Sequence, residues 1–107
     1  MHMAKKVLFT VATPLGHQVV MTRDRWREIV RFKHPALAGK DAEVRDCLRD
    51  PDVIRESAKD LDVHLYYRLA ATGYLCVVVG GDDPQARFVI TAYFTRNLKK
   101  GQELWTK

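Results

Sequence analysis

Residues 63–95 read VHLYYRLAATGYLCVVVGGDDPQARFVITAYFT. This stretch holds three runs rich in β-branched and aromatic residues: 63–71, 74–80 and 87–95. Thr72-Gly73 separates the first two runs, and a Gly-Gly-Asp-Asp-Pro turn composition separates the next two. Because short turns of this kind join antiparallel neighbours, the stretch predicts a three-stranded antiparallel meander.

The N-terminal part of the chain predicts a hairpin that leads into a helix. Residues 7–12 are typical of a strand that stops at Pro14 and Gly16, and residues 17–21 return as a second strand. Thr22 is placed to cap the following helix with its hydroxyl.

That first helix is predicted from Arg23 to about Lys33. Pro35 ends it at His34, because the residue before a proline disfavours the helical conformation. Its apolar positions fall close to helical spacing: Trp26, Ile29, Val30 and Phe32.

Further helices are predicted in the middle of the chain. Residues 42–48 are compatible with a short helix. Asp50 or Asp52 is placed to cap another helical segment with Pro51 in its first turn, and the polar run 59–62 closes it. In the tail, Trp105 is expected to fold back as a final cover.

Length and charge bound the class of protein. The chain has 107 residues, enough for one compact domain. A chain this short buries roughly 60–70% of its unfolded surface, so a homodimer or a bound partner is a reasonable expectation. Lys and Arg number 18 against 13 Asp and Glu, a net charge of +5 that favours a polyanionic or acidic partner.

Several kinds of site have no support in the sequence. The longest apolar runs, such as 75–79, are far too short to cross a bilayer, and the start lacks a secretory signal, so a cytoplasmic location is expected. Cys47 and Cys76 show no metal-ligand spacing. Motifs for ATP, NAD, zinc or serine-hydrolase chemistry are absent, so no metal and no cofactor is expected.

The predicted meander carries a set of polar and aromatic side chains. Because strand side chains alternate between faces, these are expected to share the face opposite the helices: His64, Tyr66, Arg68, Thr91, Tyr93 and Thr95. The side chains between them are expected to form the apolar face: Val63, Leu65, Tyr67, Leu69, Phe88, Ile90, Ala92 and Phe94. A cationic and aromatic face suits base stacking and phosphate binding. The alternative is an ordinary solvated sheet face, since Thr and Tyr are favoured in strands anyway.

His34 has two interpretations. It lies at the end of the first helix beside Lys33, where an imidazole can exchange protons while neighbouring cations attract phosphate. It can equally be a helix C-terminal residue that interacts with unpaired backbone carbonyls. Its position alone favours the second interpretation.

A family resemblance covers most of the chain, from Trp26 to Trp105. It is carried by six pieces in order: HPAL, LRDPDVIRES, VHLYYR, LCVVV, VITAYFT and KKGQELW. Their order and spacing resemble the phage-associated nuclease-like domains grouped with barnase, EndoU, the tRNA-cleaving colicins and RelE-type toxins. The resemblance implies an α+β fold, with the N-terminal hairpin and helices on one face of a curved antiparallel sheet and metal-independent RNA cleavage on the open face.

The reaction that the resemblance implies is attack of an RNA 2′-hydroxyl on the adjacent phosphate, which leaves a 2′,3′-cyclic phosphate and a 5′-hydroxyl. His34 is the implied general acid or base, and Arg68 stabilises charge on the phosphorane. Three hydroxyl residues orient the phosphate: Thr91, Tyr93 and Thr95.

The implied substrate contacts are completed by three further residues. Tyr66 stacks a base, and Lys33 and His64 bind substrate. The second proton-transfer residue stays open between His64, Tyr93 and a lysine.

The sequence is compatible with three functions. The first is a toxin-like endoribonuclease acting on transfer RNA or messenger RNA, with an antitoxin or immunity protein as a neutralising partner. It predicts that His34 converges with Arg68 and the threonines. The second is a non-catalytic RNA-binding or protein-interaction module, in which His34 lies far from that surface. The third is plain dimerisation through the apolar helix face.

Overall fold

A computed structural model describes residues 6–107, which form an α+β domain with a mixed seven-stranded sheet and two α-helices. The strands are β1 (Val7–Ala12), β2 (Gln18–Thr22), β3 (Val53–Glu56), β4 (His64–Ala70), β5 (Gly73–Gly80), β6 (Arg87–Thr95) and β7 (Glu103–Thr106). The helical elements are α1 (Arg23–Glu28), a π-helical turn (Ile29–Lys33), a 3₁₀ turn (Pro35–Leu37) and α2 (Asp41–Arg49). Within this range, every helix is too short to span a membrane.

The predicted hairpin, first helix and meander are confirmed. Strands β1 and β2 pair antiparallel, and the Thr22 hydroxyl accepts a hydrogen bond from the Arg25 N–H at 3.1 Å, which caps α1. Strands β4, β5 and β6 form the predicted antiparallel meander. The helix that starts at Arg23 ends in a π-helical turn, where the His34 N–H donates to the Ile29 carbonyl at 2.7 Å.

The helix predicted through Ile54 is wrong, because this segment is strand β3. Its backbone pairs with β4 on one side and β7 on the other, which satisfies the hydrogen bonds that a helix would have made internally. Asp52 is therefore not a helix cap: its carboxylate accepts from the Leu69 N–H at 2.6 Å. Trp105 folds back as predicted, but as part of β7, paired with Ile54.

The sheet is mixed, whereas an antiparallel sheet was expected. Its strand order is β1-β2-β6-β5-β4-β3-β7. Strands β2 and β6 run parallel and pair through Val19↔Arg87 and Val20↔Phe88. The pairing stops there, so β2 does not continue alongside the later part of β6.

The main core lies between the helices and one face of the sheet, here called the helix face. Leu48 of α2 and Ile29 of the π-helical turn pack in it, and both are fully buried. The sheet contributes Val77 from β5 and Ala92 from β6, also fully buried. Burying apolar area at about 25 cal/mol per Å² makes this layer the main source of stability.

The other face carries a smaller cluster built on Leu65, Tyr67 and Cys76, here called the second face. Residues 96–102 connect β6 to β7 and cross this face to reach the far edge of the sheet. Leu98 packs on the cluster, and the Lys99 N–H donates to the Tyr67 hydroxyl at 3.0 Å. Part of the face that was expected to be open is therefore covered by the chain's own crossing segment.

Candidate active site

The predicted polar surface is divided between the two faces of the sheet. Residues directly opposite one another in an antiparallel pair share a face. Arg68 pairs with Leu75, which pairs with Phe94, so Arg68 lies on the helix face. Tyr67 pairs with Cys76, which pairs with Tyr93, so Tyr93 lies on the second face.

Side chains of β4 and β6 therefore cannot form the single surface that alternation suggested. His64, Tyr66 and Arg68 share the helix face, whereas Thr91, Tyr93 and Thr95 lie on the second face. The predicted convergence of Arg68 with the threonines is wrong for this reason. Whether residues of β4 and β6 share a face depends on the register in which the strands pair. Alternation within one strand does not reveal that register.

Tyr66 is not a base-stacking platform. Its side chain is fully buried in the main core, and its hydroxyl donates to the Thr13 hydroxyl oxygen at 3.0 Å. Burial raises the pKa of Tyr66, so the phenol stays neutral. The residue contributes to the core, and an RNA base has no access to its ring.

The expected apolar face is also uneven. Leu69, predicted as core, is 67% exposed at the end of β4, where neither the helices nor the crossing segment covers it. A bulge between Val78 and Val79 changes the alternation of β6, so that Val89 is buried on the helix face. Phe88 and Phe94 remain almost half exposed.

His34 does meet one of the predicted hydroxyl residues. Its imidazole lies against the ring of Tyr93, with ring centroids 5.7 Å apart and planes tilted by 36°. The side chain is only half-buried, so the imidazole retains access to solvent. The non-catalytic module was expected to leave His34 far from the polar strand residues, and this expectation does not hold for Tyr93.

Lys99 completes this group, which we call the His34 cluster: His34, Tyr93 and Lys99. The Lys99 ammonium lies 5.5 Å from the centroid of the Tyr93 ring, within the range of a cation–π contact. Its backbone is held on both sides, since its N–H donates to Tyr67 and its carbonyl accepts from the Arg55 guanidinium at 2.9 Å. The crossing segment thus brings an ammonium to the ring that His34 contacts.

The local sequence explains why His34 reaches β6. Pro35 stops the helix, and the π-helical turn before it widens the last turn. Because β2 pairs with β6 only as far as Phe88, the later part of β6 is accessible to the segment that follows the helix. Lys33 precedes His34 in the chain and is exposed, and its ammonium lies 4.0 Å from a Glu28 carboxylate oxygen.

The hydroxyl groups of Thr91, Tyr93 and Thr95 differ in burial and in hydrogen bonding. The Tyr93 hydroxyl is buried, and burial raises the pKa of Tyr93 further above its usual range, so it stays protonated. The Thr95 hydroxyl donates to the Asn97 carbonyl at 3.1 Å and belongs to the turn that begins the crossing segment. The Thr91 hydroxyl is buried without a partner within residues 6–107. Two of the three hydroxyls that were implied to orient the phosphate, those of Thr91 and Tyr93, are therefore buried, and Tyr93 contacts His34 through its ring.

His64 belongs to a different group, at the opposite end of β4. Its ring stacks on His17 with centroids 5.6 Å apart and an interplanar angle of 20°. The buried Arg87 guanidinium lies in the same region and donates to the backbone carbonyls of Gly81 and of Asp62, the latter at 2.7 Å. His64 is 8% exposed, so it does not present its imidazole to a substrate as predicted.

The pKa of both histidines in this pair is lowered. Burial lowers the pKa of His64 from 6.5 to about 4, with further lowering by the positive charge of Arg87 and by His17, against a smaller opposing effect of Asp62. Burial and Arg87 likewise lower the pKa of His17. Both imidazoles are therefore neutral at pH 7. We assign the stacked pair a structural role at this end of the sheet.

We expect the domain to lose stability in acid through His64. Because the folded-state pKa of about 4 lies below the ordinary value of 6.5, the unfolded chain takes up the proton first. Stability present above pH 6.5 is lost as the pH falls towards 4, by about 2–3 kcal/mol between neutral pH and about pH 4.5. Urea unfolding at both pH values measures this loss. The His64→Gln variant should show a shallower pH dependence, and an identical slope in both proteins would contradict the assignment.

Sequence reasoning missed Lys99, His17 and Arg87. The signal for Lys99 was present in the KKGQELW piece, but nothing in the sequence indicated that this connection crosses the second face. His17 lies in the β1–β2 turn and Arg87 begins β6, so their meeting with His64 depends on the parallel pairing of β2 with β6.

Comparisons with known proteins give no family assignment. No family model matches the chain, and searches of curated proteins and of solved structures find no significant match. Within residues 6–107, no group of three or more His, Cys, Asp or Glu side chains is arranged to hold a metal ion.

Proposed function

We propose that the protein is a metal-independent endoribonuclease whose reaction centre is the His34 cluster. The observation that carries this proposal is the contact of the half-exposed His34 imidazole with Tyr93, at a ring that also lies beside the Lys99 ammonium. RNA transesterification needs a proton-transfer group and a cation, and His34 and Lys99 bring one of each to the same ring. The net charge of +5 supports a polyanionic substrate.

His34 acts as the general base in the proposed reaction. It removes the proton from a ribose 2′-hydroxyl, whose oxygen attacks the adjacent phosphorus. The bond from phosphorus to the 5′-oxygen breaks, and the products are a 2′,3′-cyclic phosphate and a 5′-hydroxyl. Lys99 and Lys33 supply positive charge to the phosphorane, and the Lys99 ammonium is the proposed donor of the proton that the 5′-oxygen requires.

Arg68 takes a different part in this proposal from the one that the resemblance implies. It lies on the helix face and cannot reach a phosphate held at Tyr93 on the second face. Lys99 replaces it as the charge that meets the reacting phosphate. Tyr66 likewise has no base-stacking role in this proposal, because its ring is fully buried.

The finer fold assignment belongs to the same proposal. The barnase/EndoU/colicin/RelE-like arrangement is supported by helices that precede an antiparallel meander and pack on one face of the sheet. The parallel β2–β6 pair is an addition to that arrangement, contributed by the N-terminal hairpin. Transfer RNA or messenger RNA is the proposed substrate, and an antitoxin or immunity protein is the proposed neutralising partner.

The test is incubation of the purified protein with total bacterial RNA in excess EDTA, followed by a denaturing gel and mapping of the fragment ends. We expect discrete fragments that end in a cyclic phosphate. Intact RNA over a wide range of protein concentrations would overturn the nuclease proposal. Measurable RNA binding in that case would favour the non-catalytic binding module.

A further inference from the structure

A cleft of about 460 Å³ lies on the helix face, at the end of the sheet where β4 turns into β5. Phe94 forms part of its wall and is 43% exposed, so its ring is accessible to a ligand. Lys40 and Glu43 line it from the start of α2, and Arg68 lines it from β4. Asp46 of α2 lines it as well, so the cleft combines an accessible aromatic ring with two cations and two carboxylates.

The two cations of the cleft are available to a ligand. The Lys40 ammonium lies 5.9 Å from the centroid of the Phe94 ring. Arg68 makes no ion pair or side-chain hydrogen bond within residues 6–107, although it is half-buried. A phosphate beside these two groups would receive charge-assisted hydrogen bonds that neither group makes within the described chain.

The carboxylates of the cleft differ from each other. Asp46 is engaged, since its carboxylate lies 2.7 Å from Arg49. Glu43 is exposed and forms no ion pair within residues 6–107. A free carboxylate repels phosphate but accepts hydrogen bonds from the exocyclic amino group of a base.

We propose that this cleft is a subsite for one nucleotide of a single-stranded RNA, and that it favours a base with an exocyclic amino group. The base stacks on Phe94 in place of the Lys40 ammonium, and its amino group donates to Glu43. The displaced ammonium and Arg68 bind the phosphate. Uracil is disfavoured because both of its exocyclic groups are hydrogen-bond acceptors, and its one ring donor, N3–H, lies between two carbonyl oxygens that a carboxylate repels. This inference rests on the proposed function for its substrate class, and it gives Arg68 a binding role away from the reacting phosphate.

The position of the cleft relative to the His34 cluster supports one continuous substrate. Phe94 follows Tyr93 directly in β6, on the opposite face of the same strand. Lys40 follows the 3₁₀ turn that begins right after His34. An RNA strand that passes around this part of β6 can therefore contact both groups in succession.

Binding of uncleavable RNA tests the subsite apart from catalysis. The probes are fluorescein-labelled 2′-O-methyl hexamers of adenosine, cytidine and uridine, followed by fluorescence anisotropy. We expect wild-type protein to bind the adenosine and cytidine hexamers about 10-fold more tightly than the uridine hexamer, the lower range for one hydrogen bond to a charged group. Phe94→Leu should weaken all three by about 5- to 10-fold, the lower range of base–aromatic stacking.

Two further variants make the test specific. Glu43→Gln should remove most of the preference over uridine, because an amide can donate to uracil as well as accept from an amino group. Phe88→Leu is the matched control, since Phe88 lies on the same strand, is 47% exposed and is outside the cleft. We expect it to bind all three hexamers as wild type does.

The possible outcomes distinguish failure of the subsite from failure of the proposed nuclease function. Wild-type affinity in Phe94→Leu, or no binding of any hexamer, overturns the subsite even if RNA is cleaved. Phe94-dependent binding without any cleavage supports the subsite and overturns the nuclease. Competition by free adenosine monophosphate as strong as that by the adenosine hexamer would show a mononucleotide site and overturn the assignment to RNA.

Discussion

His34→Gln should reduce the rate of RNA cleavage by about 10²- to 10⁴-fold, the usual contribution of a general acid–base group. Glutamine keeps a similar size and polarity but cannot take up the proton of a 2′-hydroxyl. The loss should appear in kcat, because the imidazole acts on the reacting proton and contributes little to ground-state binding. Single-turnover cleavage of a labelled RNA, in EDTA, measures it directly.

The fold should survive this substitution. His34 is half-buried and its side chain makes no hydrogen bond to another side chain within residues 6–107, so we expect a change in unfolding free energy of less than about 1 kcal/mol. Urea unfolding followed by tryptophan fluorescence checks this. A variant that is well folded and retains full activity would exclude His34 as the general base.

His17→Gln is the matched histidine control. His17 stacks on His64 at the other end of the sheet, and its lowered pKa follows from burial and Arg87. We expect this variant to cleave RNA at the wild-type rate. If instead His17→Gln is inactive while His34→Gln is active, the reaction centre is the His17–His64 pair and the His34 cluster is structural.

Local patterns in the sequence predict most of the elements of this fold. The Thr22 cap, the proline at position 35 and the turn at Thr72-Gly73 each act through the conformations of a few neighbouring residues, so their effects can be predicted without tertiary information. The segment after Pro51 was predicted wrongly for the opposite reason. Its conformation depends on partners that are distant in sequence, β4 and β7.

Local sequence patterns also could not predict the parallel pairing of β2 with β6. A hairpin can close on itself, and the sequence of residues 7–22 gives no sign of a further partner. The contact joins Val19 to Arg87, across most of the chain. Non-local pairings of this kind are set by the packing of the whole domain, which a single sequence does not display.

In the candidate site, too, features set within one strand were predicted and features set by distant parts of the chain were not. Alternation within β6 correctly places Thr91, Tyr93 and Thr95 together, since it is a property of one strand. Whether they share a face with Arg68 depends on the register between the strands. A register shift of one residue would move them to the other face. The resemblance assigned His34 and Tyr93 to one reaction but predicted that His34 converges with Arg68 and the threonines, so the contact of His34 with the Tyr93 ring was not itself predicted. Lys99 reaches the same ring through a connection whose path has no local signal.

Tyr66→Ala should remove about 3–5 kcal/mol from the free energy of unfolding, the range for truncating a large buried aromatic side chain. Tyr66 is fully buried in the main core, and its hydroxyl bonds to Thr13. For a domain of this size that loss is a large part of the total stability. Urea unfolding followed by the fluorescence of Trp26 and Trp105 measures it.

Tyr66→Phe separates the ring from its hydroxyl. The ring still fills the core, and only the hydrogen bond to Thr13 is lost, so we expect a loss of about 1 kcal/mol. RNA binding should be unchanged in this variant because the side chain has no exposed surface. A base-stacking tyrosine would give the reverse pattern. Truncation to alanine would then cost RNA affinity by about 1–3 kcal/mol and leave the unfolding free energy almost unchanged, which would contradict the buried position of Tyr66.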